Sequence, residues 1–262
     1  MITRRELADI ARIKRLSLGN AEKDYLIDIA LSSISRNTKN ELVFKGGTCL
    51  YKFYRLNRFS EDLDFSAVSD VEVDRLLRKL ITDFERFGTK ASVHKKKEPH
   101  NSILTTLKIE GPLFTGQPVS CARLGIDINR KSAVILPPEI LSYTPIYQEI
   151  PTFHVLCMKQ EEIFAEKVRA IMTRHKARDL FDLHSLLLNN VRADMALIKK
   201  KLDYYNEDFD AIKLVNELAK FEELWEKELG GFARALLPFK DVKAHVTKKI
   251  KEIYAIAKGT KS

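Results

Sequence analysis

The stretch of this sequence that decides the fold is Phe44-Lys45-Gly46-Gly47-Thr48, with Arg58-Phe59-Ser60-Glu61-Asp62-Leu63-Asp64-Phe65 shortly after it. Residues Glu41–Lys45 read as a short strand, and the apolar run from Thr48 to about Leu56 reads as a helix. Two glycines at this junction let the backbone approach a bulky anion, and a helix start offers free N–H donors to a phosphate. The pattern therefore predicts a phosphate-binding turn.

The carboxylates after this turn predict a metal site. Asp62 and Asp64 alternate with apolar residues as in a strand, so both project to the same side. Asp127 interrupts an otherwise apolar strand, Arg123–Asn129, where an acid is costly unless it faces a metal or an open cleft. Three such carboxylates can hold two magnesium ions. Each feature alone has a plainer explanation: a Gly-Gly pair can be only a turn, a D-x-D can be a solvated strand edge, and Asp127 could pair with a neighbouring arginine.

The periodicity of the sequence predicts an α/β part followed by a helical part. Helices are predicted over most of the first forty residues, over Leu76–Phe87 with Gly88 at the end, and from Met158 onward, the last being Asp241–Lys258. Strands are also predicted at Ala91–His94, Ile103–Ile109, Val119–Ile128 and Ala133–Leu136. We therefore expect a domain of residues 1–150, with its N-terminal helices, and a helical lobe of residues 151–262.

The composition and the absence of certain motifs argue against a membrane protein, a secreted protein and several classes of enzyme. No apolar run is long enough to cross a bilayer, no secretory signal begins the chain, and its three cysteines form no C-x-x-C pair, so we expect a cytoplasmic protein without a membrane partner. No H-E-x-x-H, G-x-S-x-G or Walker A motif is present. The net charge of +9 suits a polyanionic partner, but it does not decide function.

Together these motifs resemble the AbiEii-type nucleotidyltransferases, a toxin branch of the DNA polymerase β-like superfamily that includes the MenT toxins. The superfamily signature matches Gly46, Gly47, Asp62, Asp64 and Asp127. Two further family motifs match Ala165-Glu166-Lys167 and Arg178-Asp179-Leu180-Phe181-Asp182-Leu183. The resemblance covers roughly residues 22–188, and it implies a polymerase β-like core with a mixed sheet, followed by a helical C-terminal lobe.

The resemblance also implies roles for particular residues. Asp62, Asp64 and Asp127 are expected to hold magnesium, and with Lys167 and Asp182 they form the expected catalytic set. Nucleotide binding is assigned to Lys45, Gly46, Gly47, Thr48, Arg58, Ser60 and Lys167. Within this set, Lys167 is the expected triphosphate contact, although a lysine on an inward helical face can also cover core with its stem while its head reaches water.

The function implied is magnesium-dependent transfer of a nucleotide from an NTP to an acceptor hydroxyl with release of pyrophosphate. RNA, as a tRNA 3′ end, is the expected acceptor, and a type IV toxin–antitoxin system with an antitoxin encoded nearby is the expected setting. Candidate RNA contacts are Lys95–Lys97, Arg174–Lys176 and the lysines at 248, 249 and 251. The alternative is a non-catalytic nucleotide- or RNA-binding protein on the same scaffold.

Overall fold

A mixed sheet with the strand order β3-β4-β5-β2-β1-β7-β6 is the centre of the N-terminal part of the chain. The structure, a computed structural model, describes residues 1–131, 133–233 and 235–257. It divides into two compact units: the first is Met1–Phe53 with Phe59–Met158, and the second is Tyr54–Arg58 with the described residues from Lys159 onward. The motif Arg58–Phe65 is therefore shared between the units, because Arg58 belongs to the second.

The first unit contains the strands and the N-terminal helices. Its strands are β1 (Leu42–Lys45), β2 (Leu63–Ala67), β3 (Lys90–Lys97), β4 (Ser102–Glu110), β5 (Ala122–Asn129), β6 (Glu139–Tyr143) and β7 (Phe153–Cys157). Its helices are α1 (Arg4–Lys14), α2 (Leu18–Asn37), α3 (Gly46–Phe53) and α4 (Val73–Arg86). β2 is parallel to β5 and β1 is parallel to β7, whereas the other pairs are antiparallel. The predicted α/β core with a mixed sheet is confirmed.

Alternation of side chains gives the sheet one covered and one open face around β4 and β5. Every second residue of β4 is buried: Ile103, Thr105, Leu107 and Ile109. The residues between them are partly or fully exposed. α2 and α4 pack against this apolar side through faces such as Leu76–Leu80 of α4. Asp64 and Asp127 project from the other face of the sheet, where both are partly exposed. The apolar face therefore packs in the core, and the acidic residues lie on the open face.

Strand prediction failed at three places between residues 119 and 157. Ala133–Leu136 forms no strand, and β6 begins after Pro137-Pro138, because proline cannot donate to a ladder. Pro118–Ser120 is a 3-10 turn, so β5 starts later than predicted. Neither β6 nor β7 was predicted, and the short apolar run of β7 precedes a helix without a clear break. The last helix begins at Phe239, and Lys258, its predicted end, lies outside the described residues.

A buried polar cluster fixes α3 against α2. Lys52, on the last turn of α3, donates to Asp24 Oδ1 at 2.7 Å and to Asp28 Oδ1, and both carboxylates are fully buried. Burial alone would raise the pKa of Asp24, but Lys52 and Lys14 outweigh it and hold the pKa at about 2. Tyr147 completes the set with a 2.8 Å hydrogen bond to Asp24. These contacts orient the helix whose first residues are Gly46 and Gly47.

The second unit is built from helices. They are α5 (Gln160–Thr173), α6 (Ala177–Leu188), α7 (Met195–Asp203), α8 (Ala211–Leu218), α9 (Glu222–Leu229) and α10 (Phe239–Ala257). Trp225 packs between Phe181 and Phe239, and its indole donates to the carbonyl of Leu237 at 2.9 Å. The residues after the last motif therefore complete the core around α5 and α6. Among the described residues, no helix has the length and apolar character to cross a membrane.

Candidate active site

Three acidic residues, Asp62, Asp64 and Asp127, lie on the open face of the sheet, where β2 and β5 run side by side. In this parallel pair Asp64 is the register partner of Asp127, and Asp62 lies just before β2. Register partners on adjacent strands project to the same face about 4.8 Å apart at the backbone. The sheet thus brings together two acids that lie far apart in the sequence.

Two glycines make room for these carboxylates. A Cβ added to Gly125 of β5 would lie 2.6 Å from Asp62 Oδ1, and one added to Gly46 would overlap Asp64 Oδ2 and lie 3.1 Å from Asp64 Cγ. Gly125 is two residues before Asp127 and therefore shares its face. Sequence reasoning missed Gly125, although a glycine inside an apolar strand is a sign of close approach by another group.

The Gly-Gly turn adjoins Asp64. Gly46 and Gly47 begin α3, and Lys45, the last residue of β1, is the register partner of Asp64. The Thr48 hydroxyl donates to the carbonyl of Asp62 at 2.5 Å, which ties the helix start to the segment that carries the first acid. The first N–H groups of this helix have no acceptor within the helix, and they lie close to the Asp64 carboxylate.

Replacing Gly46 with Ala should disturb the site as well as the backbone. Gly46 has a φ of +76°, where an L side chain costs about 1–2 kcal/mol, and the new Cβ would displace the Asp64 carboxylate. We expect the free energy of unfolding to fall by that amount and turnover to fall by more than the loss of folded protein explains. Chemical denaturation and a pyrophosphate-release assay measure the two effects. Gly19→Ala is the control, since nothing lies within 4 Å of a Cβ there.

The donor set fits a magnesium ion in its chemistry. Carboxylate oxygens are the ligands that Mg²⁺ prefers, and Asp62, Asp64 and Asp127 share one partly exposed face. Within residues 1–131, 133–233 and 235–257, no three His, Cys, Asp or Glu side chains are already gathered as ligands. Asp62 Oδ1 instead lies against Gly125, and Asp64 Oδ2 lies against Gly46.

The family-motif residues of the second unit form a buried ion-pair network. Lys167 of α5 lies 2.8 Å from Asp179 Oδ1 and 2.7 Å from Asp182 Oδ2, and its side chain is 9% exposed. Burial alone would lower the pKa of Lys167, but Asp179 and Asp182 outweigh it and raise the pKa above its usual value. These partners come from α6, which is why no acid near Lys167 in the sequence revealed them.

The other two cations of this network are arginines. Arg58 donates a bidentate pair of hydrogen bonds to Asp182, from Nε to Oδ1 at 2.7 Å and from NH2 to Oδ2 at 2.8 Å. Arg174 binds Asp179 in the same two-point manner. Burial tends to raise the pKa of Asp179, but Lys167 and Arg174 hold it well below its usual range. The stability contributed by Asp179 is therefore present above its ordinary pKa near 4 and is lost as pH falls through the folded value.

The structure thus divides the predicted site residues into two sets. The first unit contains Lys45, Gly46, Gly47, Thr48, Ser60, Asp62, Asp64 and Asp127, and the second contains Arg58, Lys167 and Asp182. Ser60 is buried just before Asp62. Among the candidate RNA contacts, Lys96 pairs with Asp74, Arg174 with Asp179 and His175 with Glu217. Sequence reasoning missed these pairings because each partner lies on another helix or strand, or a helical turn away.

Comparison with known proteins identifies a family and similar folds. Residues 30–253 match the family model described as "Nucleotidyl transferase AbiEii toxin, Type IV TA system". No curated protein sequence is significantly similar to this one. Among solved structures, MenT4, a nucleotidyltransferase toxin from Mycobacterium tuberculosis, has a TM-score of 0.65 at 22% identity, covering 97% of this chain and 90% of that one. JHP933 from Helicobacter pylori has a TM-score of 0.63 at 21% identity, covering 93% and 95%.

Proposed function

This chain belongs to the AbiEii family of nucleotidyltransferase toxins of type IV toxin–antitoxin systems, and from that premise we propose its reaction in detail. It transfers a nucleotide from an NTP to a hydroxyl at the 3′ end of an RNA, a tRNA in particular, in a magnesium-dependent reaction. It acts in the cytoplasm, and a neighbouring gene encodes its antitoxin. Family membership makes the chain an enzyme, so the non-catalytic alternative is dropped.

One observation carries the proposal: Asp64 and Asp127 are register partners on parallel strands, beside Asp62 and the Gly46-Gly47 turn. An NTP offers a chain of phosphates that needs N–H donors at one end and neutralisation of charge at the other. The start of α3 offers the N–H donors, and the three carboxylates would neutralise the phosphate charge through a bound cation.

In this reaction the acceptor hydroxyl gives up its proton to solvent as its oxygen attacks the α-phosphorus of the NTP. The bond between the α-phosphorus and the bridging oxygen of the β-phosphate breaks, and pyrophosphate leaves. Asp62, Asp64 and Asp127 would hold magnesium, which lowers the charge on the reacting phosphate and on the departing pyrophosphate. The backbone N–H groups of Gly47 and Thr48 would hold phosphate oxygens in place. Such positioning and charge neutralisation account for most of the catalysis in phosphoryl transfer.

Lys167 and Asp182 remain the proposed nucleotide-site residues of the second unit. Each is engaged in ion pairs, so we propose that Lys167 contacts the triphosphate while it keeps its aspartates. The place of Lys167 in a family motif supports this proposal, because a lysine ammonium is a compact charge suited to a phosphate.

Incubating the protein with total RNA, labelled NTPs and magnesium should place label at the 3′ end of RNA, with tRNA as the main species. The physical reason is the surplus of nine positive charges, which an RNA backbone would use and a small acceptor would not. EDTA should abolish labelling, and periodate oxidation of the RNA 3′ end should block it. Label on protein alone, or on no macromolecule, would contradict the RNA acceptor and leave nucleotide transfer itself to be tested by pyrophosphate release.

A further inference from the structure

The lysine run on the edge strand β3 is split between the two faces of the sheet. Lys96 is the register partner of the buried Thr105 and pairs with Asp74 of α4 at 2.7 Å and with Glu98 at 3.0 Å. Lys95 and Lys97 flank it and, by strand alternation, project to the opposite face. They are exposed, and their register partners Thr106 and Leu104 lie on the open side of β4.

Two further cationic residues, on β4 and β5, lie on the same face of the sheet as Lys95 and Lys97. Lys108 of β4 is the register partner of Arg123 of β5, two positions along from the pair that Thr106 makes with Gly125. Within the described part of the chain, none of Lys95, Lys97, Lys108 and Arg123 forms an ion pair, whereas Lys96 forms two. We call these four residues the open-face stripe.

The stripe is in register with the acidic site. Lys97, Leu104, Asp127, Asp64 and Lys45 follow one another across β3, β4, β5, β2 and β1. With about 4.8 Å between strands, Lys97 lies about 14 Å from Asp64 at the backbone. At about 3.4 Å per nucleotide, that distance corresponds to roughly four nucleotides of a stacked strand.

We propose that the open-face stripe binds the phosphate backbone of the acceptor RNA, within about four nucleotides of the end that reacts at the acidic site. This rests on the proposed RNA acceptor and adds which residues hold its backbone. A cation without a protein partner gains most from a phosphate, because no existing ion pair must be broken. Leu104, 39% exposed, lies beside Lys97 on this face, but the four residues of the stripe are all cations. Such a surface suits phosphates better than it suits a protein partner, whose interface needs a hydrophobic centre.

The test is to measure binding of a labelled RNA hairpin with a single-stranded 3′ end, without NTP, over a range of salt concentrations. Each lost phosphate contact reduces the magnitude of the log–log salt slope by about 0.7 on a single strand and 0.9 on a duplex. Lys95→Ala/Lys97→Ala should therefore reduce it by about 1.4–1.8 and weaken binding by about 25- to 60-fold at 0.1 M salt.

Lys96→Ala is the matched control, with the same residue type on the same strand but the opposite face. We expect it to leave the salt slope unchanged and the affinity within about twofold, since Lys96 already has carboxylate partners. Thermal melting of all variants checks that the fold is retained. Equal losses in Lys96→Ala and the double variant would overturn the stripe, and so would an unchanged slope in the double variant.

Poly-L-glutamate tests the alternative of an acidic protein partner. Displacement of RNA by poly-L-glutamate at equal charge concentration would overturn the proposal in favour of a protein surface. Because this assay needs no turnover, absence of nucleotide transfer would refute the proposed function and leave the binding result standing. Loss of stripe-dependent binding, with labelling of RNA intact, would refute the stripe alone.

Discussion

Replacing Asp62 or Asp64 with Asn should lower the rate of nucleotide transfer by about a thousandfold or more. Each substitution removes a negative charge from the face where Asp64 and Asp127 are register partners, and with it several kcal/mol of charge stabilisation by magnesium. The shape of the side chain is kept, so melting temperatures should stay near that of the unaltered protein. Pyrophosphate release at saturating NTP and magnesium measures the effect.

Asp70→Asn is the control for this pair, because Asp70 is an exposed acid just after β2. We expect it to retain normal turnover. Normal turnover by Asp62→Asn would instead remove the proposed metal site. We expect Asp127→Asn to show the same large loss of turnover, because its carboxylate is proposed to join Asp62 and Asp64 in holding the metal. A small loss would instead indicate that Asp127 pairs with a neighbouring arginine.

Removing the carboxylate of Asp182 should destabilise the second unit by about 3–5 kcal/mol. Asp182 is fully buried and is held by Arg58, which is 3% exposed, and by Lys167. Truncation to Ala leaves the Arg58 guanidinium buried without its two-point partner, and an uncompensated buried charge carries a penalty of this size. Chemical denaturation followed by the fluorescence of Trp225, which lies in this unit, measures the change.

Arg174→Ala is the comparison, since it breaks an ion pair of the same network at a half-exposed position. The Arg174 side chain is 49% exposed, so its loss should cost about 1 kcal/mol or less. Equal effects of Asp182→Ala and Arg174→Ala would contradict the burial argument. Lys167→Ala should also destabilise the unit, because Lys167 holds two buried aspartates. Its contribution to nucleotide affinity must therefore be measured on folded protein, with the melting temperature as a check.

Prediction from sequence worked where local chemistry repeats a simple pattern. α4 was predicted from apolar residues on one side of a helix and a glycine at its end, and Gly88 does adopt a left-handed φ of +74°. It failed at β7, where five residues gain their strand conformation from pairing with β1 and β6. Isolated short runs carry little information about such pairing, because the partners lie far away in the sequence.

The candidate site shows the same division between local pattern and distant contact. The sequence by itself predicted the Gly-Gly turn, the acids Asp62 and Asp64, and the family, and of these the family is confirmed. Only the tertiary structure decided that Asp127 is the register partner of Asp64, that Asp182 pairs with Arg58, and that Lys96 pairs with Asp74. Sequence spacing fixes which side chains share a face of one helix or strand. Strand register and helix packing decide which elements meet, and both depend on how the whole core is buried.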